Sequence, residues 1–262
     1  MIDDGLPAGH GKVKNKLIAL NKARKLEYLV ADARAAGATT LITTGAVQSN
    51  HARMTAAAAC MAGMRCTLVL TATDDAPALA GNLLLDSLYG ASIRLVPSVD
   101  PMFAVGNDEA VVAEVAAEER AAGRTPYVIP VGGSSGVGVF GYVSGTAELV
   151  EQLASAGETP TRLYYASGSR GTQAGLELGW RLFSPSYELH GIAVSGGEPE
   201  KRVRAARIAT EAARLLRRDI VVTPDELVRD VEHAPPVEPY DVGPRGLIAG
   251  ETAFDEGIQL RR

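Results

Sequence analysis

The chain is poor in cysteine, in aromatic residues and in long apolar runs, and each shortage excludes a class of protein. Its 262 residues include two cysteines and 5% aromatic residues. Cys60 and Cys66 lie in an alanine- and methionine-rich stretch, which predicts two small buried hydrophobic residues rather than a disulfide or a metal pair. The four histidines are scattered, with no ligand spacing to one another or to a cysteine, so no metal site is predicted.

An excess of positive charge is also lacking. The net charge is −5 at pH 7, which argues against a nucleic-acid binder with a basic face. No apolar stretch approaches the roughly 20 residues that a membrane-spanning helix needs. The first residues, MIDDGLPAGHGKVKNK, lack the apolar core of a secretory signal. We therefore expect a cytoplasmic protein that binds neither nucleic acid nor membranes.

The pattern that is present is an alternation of short β-branched runs with alanine-rich helical stretches. It predicts an α/β protein with open, twisted, mostly parallel sheets and flanking helices. The predicted strands lie at 39–44, 65–70, 93–97, 126–131, 162–166 and 188–195. The predicted helices lie at 50–62, 81–91, 108–122 and 199–217, after residue 20, and after two glycine-rich turns at 132–141 and 167–171.

The segment ASGSRGTQAGLELG (166–179) places a glycine- and serine-rich turn between a strand and a helix. Small residues let backbone N–H groups converge on an anion at a helix N-terminus, which favours a phosphate-binding loop. Neither a Walker A loop nor a dinucleotide fingerprint is present. A tight turn without a ligand remains an alternative, and Arg170 would either pair with the anion or change the shape of the loop.

A second polar segment, GAVQSNHAR (45–53), also follows a buried strand. Ligands of open α/β sheets bind at such strand-to-helix junctions. Ser49 or Asn50 could instead serve as an ordinary helix N-cap, although an N-cap needs only one polar residue.

The third segment is LNKARKLEYL (20–29), in which three cations precede an amphipathic helix. A solvated helix start is the simplest interpretation of such a run. Lys22 could alternatively form a Schiff base if Arg24 and Lys25 helped to lower its pKa. A nucleophilic lysine, a phosphate loop and a polar substrate loop together indicate pyridoxal phosphate as cofactor.

These segments, with GNLLLD and YVIPVGGS…GYV between them, resemble the D-cysteine desulfhydrase/1-aminocyclopropane-1-carboxylate deaminase family from about Leu20 to Leu216. Its members are pyridoxal-phosphate enzymes of the tryptophan-synthase-β fold type (fold type II). His51 resembles the desulfhydrase branch, because glutamine is usual there in the deaminase branch. The resemblance implies α,β-elimination or ring-opening deamination of a small amino acid, which releases a 2-oxo acid and ammonia.

The resemblance also implies roles for individual residues. Lys22 would hold the cofactor as the Schiff-base lysine and move protons, and Ser49 would assist as a second catalytic residue. Asn50 would bind the cofactor's ring hydroxyl, and Ser49, Asn50 and His51 would bind the substrate carboxylate. The phosphate would be held by Ser167, Gly168, Ser169, Gly171 and Thr172.

Several positions depart from the family pattern, as expected for a chain truncated or divergent at both ends. Ala19-Leu20 replaces a double glycine, and Arg170 replaces another glycine. Residues 1–19 and 239–247 match no family segment clearly, so we expect two active-site tyrosines and the group facing the pyridine nitrogen to be missing. The alternatives are a catalytically impaired pseudoenzyme or cofactor- or amino-acid-binding protein, and an unrelated phosphate-ligand binder.

The resemblance further predicts two domains. Residues 25–140 would form a small α/β domain, and residues 1–24 and 141–262 a large domain that carries the phosphate loop and is incomplete at both ends. The active site would lie between them. Family members are commonly homodimers, so we expect a homodimer here.

Overall fold

The first part of the chain builds a parallel sheet from alternating strands and helices. The computed structural model describes residues 21–73, 77–98, 108–193, 198–227 and 259–261. Its first sheet has the strand order β3-β2-β1-β4, with every neighbouring pair parallel. The strands are β1 (Thr40–Ala46), β2 (Arg65–Ala72), β3 (Ser92–Pro97) and β4 (Pro126–Ile129). The accompanying helices are α1 (Asn21–Ala35), α2 (Asn50–Ala62), α3 (Gly81–Leu88) and α4 (Asp108–Ala121).

Both faces of this sheet are covered, because neighbouring residues of one strand point to opposite sides. Leu41 packs in the cluster that α1 and α2 form on one face, with Leu26, Leu29 and Ala56. Ile42, the next residue, packs on the other face against Val112 and Val115 of α4. The buried β-branched runs of the sequence are therefore central strands of a three-layer unit.

A second sheet follows in the rest of the described chain. Its order is β6-β5-β7, with β6 parallel and β7 antiparallel to the central strand β5. The strands are β5 (Arg162–Ser167), β6 (Glu188–Ala193) and β7 (Gln259–Arg261), and the helices are α5 (Phe140–Ala156), α6 (Gly171–Phe183) and α7 (Glu198–Leu215). Short 3₁₀ turns lie at Val131–Gly133 and Pro224–Leu227.

The helices of this second unit pack closely through small residues. Ala205, Ala209 and Ala212 of α7 are fully buried in a cluster with Ala174 and Leu178 of α6. On the sheet, Leu163 and Tyr165 pack with Leu176 and Leu189. This packing fixes where α6 begins, and therefore where the glycine-rich loop before it lies.

The structure confirms the predicted α/β class and the predicted strands and helices, with shifts at their ends. The helix predicted at 81–91 ends at Leu88, and the strand predicted at 126–131 ends at Ile129. Pro130, which cannot donate a backbone hydrogen bond, follows that strand directly. The prediction that both cysteines are buried is wrong for Cys60, which is exposed, while Cys66 is buried.

Some predictions concern residues outside the described ranges. These are the Ala19-Leu20 pair, residues 1–19, the end of the strand predicted at 188–195 and the segment 239–247. The strands of the first sheet all fall within 25–140 and those of the second within 141–262, while α1 runs across the predicted boundary at residue 24. The domain limits stay a prediction. Within the described residues, no helix combines the length and the apolarity that crossing a membrane requires.

Candidate active site

The candidate site lies where loops leave the carboxyl ends of parallel strands. The polar loop 47–49 follows β1, and the turn Val131–Gly133 follows β4, the strand paired with β1. Because neighbouring parallel strands end at the same edge of a sheet, these two loops are brought together. Helix α2, which continues the polar loop, contacts the turn, and so does α1.

Lys25 is a deeply buried cation at this edge of the sheet. Its side chain is 1% exposed. Its Nζ donates a 3.1 Å hydrogen bond to the carbonyl oxygen of Gly132 and lies 5.7 Å from the centre of the Tyr142 ring. A buried ammonium at this depth requires compensating polar or anionic partners. Lys25 is therefore a candidate for binding an anion.

Two glycines make room for Lys25 and for the serines around it. Gly132 has φ +67°, and a Cβ added there would collide with Ser169 Oγ. A Cβ added to Gly171 would lie 2.5 Å from Ser134 Oγ and 2.8 Å from Lys25 Nζ. Ser134 Oγ donates a 2.9 Å hydrogen bond to Ser169 Oγ. We call Lys25, Gly132, Ser134, Ser169 and Gly171 the cradle.

The cradle meets the first turn of α6. The leading N–H groups of a helix have no acceptor within the helix, and the helix dipole favours an anion beside them. The N-cap residue Arg170 makes no side-chain cap hydrogen bond that would occupy them. An ammonium, two hydroxyls and a helix N-terminus form the donor set that a phosphate group requires, so the residues present fit the phosphate of pyridoxal phosphate.

Arg170 changes the shape of the predicted phosphate loop and its side chain points inward. Its φ of +68° lies in the left-handed region that favours glycine, and its side chain is 1% exposed. Its Nη1 donates to Ser167 Oγ at 2.9 Å and to Gln173 Oε1 at 2.8 Å, and Ser167 Oγ donates to the same Gln173 oxygen. The Ser167 hydroxyl therefore bonds to Arg170 and Gln173, whereas Ser169 is part of the cradle. Gly168 and Thr172 are half-buried.

The polar loop after β1 positions Ser49 and Asn50. Ser49 is the N-cap of α2, and its Oγ accepts a 3.2 Å hydrogen bond from the N–H of Ala52. The N-cap alternative therefore holds for Ser49, although its hydroxyl keeps a proton to donate elsewhere. Asn50 Oδ1 accepts hydrogen bonds from Asn82 Nδ2 at 3.1 Å and from Arg53 Nη2 at 3.4 Å.

The His51 side chain points into the first sheet. The ring is 4% exposed, and its Nε2 lies 2.9 Å from Thr43 Oγ1. Burial first, and then the positive charges of Lys22 and Lys25, lower the pKa of His51 to about 3. The imidazole is therefore neutral, and the backbone of residue 51 rather than the ring is left for the predicted carboxylate binding.

Lys22 lies in the first turn of α1 and is half-buried. Its charge acts on His51 together with that of Lys25, so both lysines lie on the side of α1 that faces the polar loop. Arg24 points elsewhere and makes two hydrogen bonds with the Glu148 carboxylate, at 2.9 and 2.8 Å. The role of Lys22 as the covalent lysine stays a prediction.

Sequence reasoning missed Lys25, Ser134 and Asn82 as site residues. Lys25 was interpreted only as a cation near Lys22. Its spacing of four residues from Leu29 places it on the buried face of α1, and this signal was present in the sequence. Ser134 and Asn82 carry no comparable local signal, because their partners are 35 and 32–34 residues away.

Comparison with known proteins identifies what this arrangement resembles. Residues 20–236 match the model of the family described as pyridoxal-phosphate dependent enzyme. The D-cysteine desulfhydrase of Yersinia pestis (strain Pestoides F) is 41% identical over 193 residues, which are 72% of this chain and 56% of that protein. The D-cysteine desulfhydrase of Salmonella choleraesuis (strain SC-B67) is 42% identical over 189 residues, 70% of this chain and 55% of that protein.

Among solved structures, the crystal structure of an ACC deaminase homologue matches with a TM-score of 0.67 and 38% sequence identity. The match covers 78% of this chain and 60% of that one. The predicted family resemblance and the predicted fold type II architecture are thereby confirmed. The chain spans little more than half the length of the curated relatives that it matches.

Proposed function

Because the chain belongs to the pyridoxal-phosphate-dependent enzyme family, we propose that it is a lyase that uses this cofactor to degrade a small amino acid. D-Cysteine is the first candidate substrate, because both curated relatives described above are D-cysteine desulfhydrases. 1-Aminocyclopropane-1-carboxylate is the second, on the strength of the structural neighbour.

The cradle is the observation that carries this proposal. Three separate chain segments, namely α1, the turn after β4 and the loop before α6, supply Lys25, Ser134 and Ser169 to one buried place. A Cβ at Gly171 would fill the space next to Ser134 Oγ and Lys25 Nζ. A buried cation in contact with a glycine-lined helix N-terminus has a direct purpose when a phosphate group lies there.

The other predicted site residues would bind the rest of the cofactor and the substrate. Lys22 would hold the cofactor through its Nζ, and its free amine would accept the proton of the substrate α-carbon. Asn50 donates to the cofactor's ring hydroxyl. Ser49 Oγ and the backbone of residues 50–51 bind the substrate carboxylate near the N-terminus of α2, where an anion is favoured.

When bound, pyridoxal phosphate withdraws electrons from the bonds at the substrate α-carbon. The overall reaction with D-cysteine consumes one water and releases pyruvate, hydrogen sulfide and ammonia. Loss of the α-proton and of the β-thiol breaks the C–H and C–S bonds, and hydrolysis of the C–N bond supplies the keto oxygen. Lys22 handles the α-proton.

The test is reconstitution of the purified chain with pyridoxal phosphate. We expect a visible absorbance band that Lys22→Ala abolishes and that Lys201→Ala, a matched lysine substitution on α7, leaves unchanged. Release of a 2-oxo acid then assigns the substrate: pyruvate from D-cysteine or L-cysteine, and 2-oxobutanoate from 1-aminocyclopropane-1-carboxylate. A wild-type protein without the band would refute the cofactor proposal, and a band without product from any amino acid would leave a binding protein.

The homodimer expected from the resemblance and the cytoplasmic location expected from the sequence belong to this proposal. Light scattering after size-exclusion chromatography of the reconstituted protein tests the first. A mass equal to one chain of 27.4 kDa would contradict it.

A further inference from the structure

Asn82, at the second position of α3, holds the polar loop through three hydrogen bonds. Its backbone N–H donates to Gln48 Oε1 at 2.9 Å. Its side-chain Nδ2 donates to the carbonyl oxygen of Gln48 at 2.6 Å and to Asn50 Oδ1 at 3.1 Å. Asn82 is 5% exposed, so water does not compete strongly for these bonds.

The contacts fix which end of each amide points where. A backbone carbonyl can only accept, so the Asn82 atom that faces the Gln48 carbonyl is the NH₂ group. The same NH₂ group faces the Asn50 side chain, so the Asn50 atom in contact with it is the amide oxygen. Hydrogen-bond chemistry therefore sets the orientation of both amides.

The Gln48 side chain adds a second contact between the polar loop and the start of α3. Its Oε1 accepts from the Asn82 backbone, and its Nε2 donates to the carbonyl oxygen of Ala80 at 3.2 Å. Gly81, between these two contacts, has φ +57°, and a Cβ there would lie 2.5 Å from Gln48 Oε1. The sequence Gly81-Asn82 at the start of α3 is thus shaped to receive the polar loop.

These contacts leave the NH₂ group of the Asn50 side chain available to a ligand. Its Oδ1 is occupied by Asn82 and, more weakly, by Arg53, whereas its Nδ2 makes no hydrogen bond within the part of the chain that the structure describes. Asn50 is half-buried, so this NH₂ group is accessible to a ligand.

We propose that Asn82 is a positioning residue, which turns Asn50 so that it meets the ligand only as a hydrogen-bond donor. The ligand atom in front of Asn50 is then an acceptor. Under the function proposed above, on which this inference rests, that atom is the ionised ring hydroxyl of pyridoxal phosphate. Without Asn82, the Asn50 amide can rotate and present its oxygen, which an ionised hydroxyl repels.

The test is a double-mutant cycle read by cofactor binding rather than by activity. Dissociation constants for pyridoxal phosphate are measured for the wild type, Asn82→Ala, Asn50→Ala and the double variant, using the visible absorbance band. We expect each single variant to bind about tenfold more weakly, as for one hydrogen bond to a charged group. Asn82→Ala should add less than about twofold on the Asn50→Ala background, because its effect passes through Asn50.

The visible circular dichroism spectrum of the bound cofactor is a second measurement, which general destabilisation of α3 would leave unchanged. Asn82→Ala should reproduce the spectrum of Asn50→Ala. Ser87→Ala is the matched control, because among the described residues Ser87 Oγ bonds only the Leu83 carbonyl within the same helix. Its spectrum and dissociation constant should equal those of the wild type.

Asn50→Asp keeps the test decisive if Asn82→Ala does not fold. Aspartate offers no NH₂ group and adds a negative charge, so it should bind pyridoxal phosphate more weakly than Asn50→Ala. Wild-type affinity in Asn50→Asp, or fully additive effects in the cycle, would overturn the inference while leaving the proposed function standing. A wild type that binds no pyridoxal phosphate would overturn both.

Discussion

His51 Nε2 and Thr43 Oγ1 are joined by a buried 2.9 Å hydrogen bond, and the Thr43 hydroxyl donates a 2.8 Å hydrogen bond to the carbonyl oxygen of Ile129. Because the threonine hydroxyl donates to Ile129, the ring nitrogen that faces it carries the proton. Helix α2, which follows the polar loop, is thereby tied to both β1 and β4. A neutral histidine in one tautomer is part of the framework of the site.

The first prediction concerns the pH dependence of stability that His51 causes. Burial, and then the charges of Lys22 and Lys25, lower its pKa to about 3 in the folded chain, against an ordinary value of 6.5. Between these pH values the unfolded chain binds the extra proton. Stability from this group is therefore lost as the pH falls from about 6.5 towards 3, by up to about 1.4 kcal/mol per pH unit.

Urea unfolding of His51→Gln and of the wild type from pH 4 to pH 7.5 measures this effect. The difference in unfolding free energy should change steadily with pH, with the wild type losing more at low pH. His190→Gln, at a histidine on the second sheet near Glu188, is measured alongside as the control for replacing a histidine by glutamine in this fold. Parallel curves for His51→Gln and the wild type would contradict the buried neutral histidine.

Asp86 of α3 should cause a pH dependence of stability opposite in sign to that of His51. Its carboxylate is fully buried, and neither oxygen has a hydrogen-bond partner among the described residues. Burial raises the pKa of Asp86 to about 6, although Arg53 opposes the shift. The folded chain therefore binds the extra proton between about pH 4 and pH 6, and stability falls as the pH rises through that range.

Asp86→Asn removes this titration. Relative to the wild type, the variant should gain stability progressively from pH 4 to pH 6, and the gain should level off above about pH 6. Unfolding by urea at half-unit steps of pH gives the comparison. A gain that is constant across the whole range would show that the Asp86 carboxylate does not change its protonation on folding.

Arg170 combines an unfavourable backbone conformation with favourable buried hydrogen bonds. A non-glycine residue at φ +68° costs roughly 1–2 kcal/mol relative to glycine. Both Arg170→Ala and Arg170→Gly lose the bonds to Ser167 and Gln173, which contribute roughly 1–3 kcal/mol. We expect both variants to be less stable than the wild type and the alanine variant to be about 1 kcal/mol worse than the glycine variant.

Arg217 provides the matched control for Arg170, because it has φ +54° just after α7 but an exposed side chain. Arg217→Gly should therefore stabilise the protein by roughly 1 kcal/mol, since it relieves the backbone without loss of buried bonds. Thermal unfolding of the four proteins provides the comparison. An Arg170→Gly variant more stable than the wild type would mean that the bonds of the buried guanidinium contribute less than the strained backbone conformation costs.

The sequence predicted much of the fold, because strand and helix periodicities survive in the chain itself. The alternation of Leu41 and Ile42 between two covered faces is one example. Features that depend on tertiary contacts were not predictable. The left-handed conformation of Arg170 and the contact between Asn82 and Asn50 follow from how α6 and α3 meet their loops. The burial of Lys25 was not predicted, because its charge favours exposure to solvent while its spacing of four residues from Leu29 favours burial.

The last prediction separates the two lysines of α1 by their burial. Lys25 is 1% exposed and is part of the cradle, whereas Lys22 is half-buried in the first helical turn. If Lys25 binds the cofactor phosphate, Lys25→Met should weaken binding of pyridoxal phosphate by at least about tenfold, the value of one hydrogen bond to a charged group. The visible band should still form at saturating cofactor, since Lys22 remains.

Lys22→Met should show the complementary result. Cofactor can still bind through its phosphate, but the visible band is lost at every concentration. Free inorganic phosphate should compete with pyridoxal phosphate in the wild type and in Lys22→Met, but much less in Lys25→Met, because only Lys25 belongs to the cradle. Loss of the band in Lys25→Met with its retention in Lys22→Met would reverse the assignment and make Lys25 the covalent lysine.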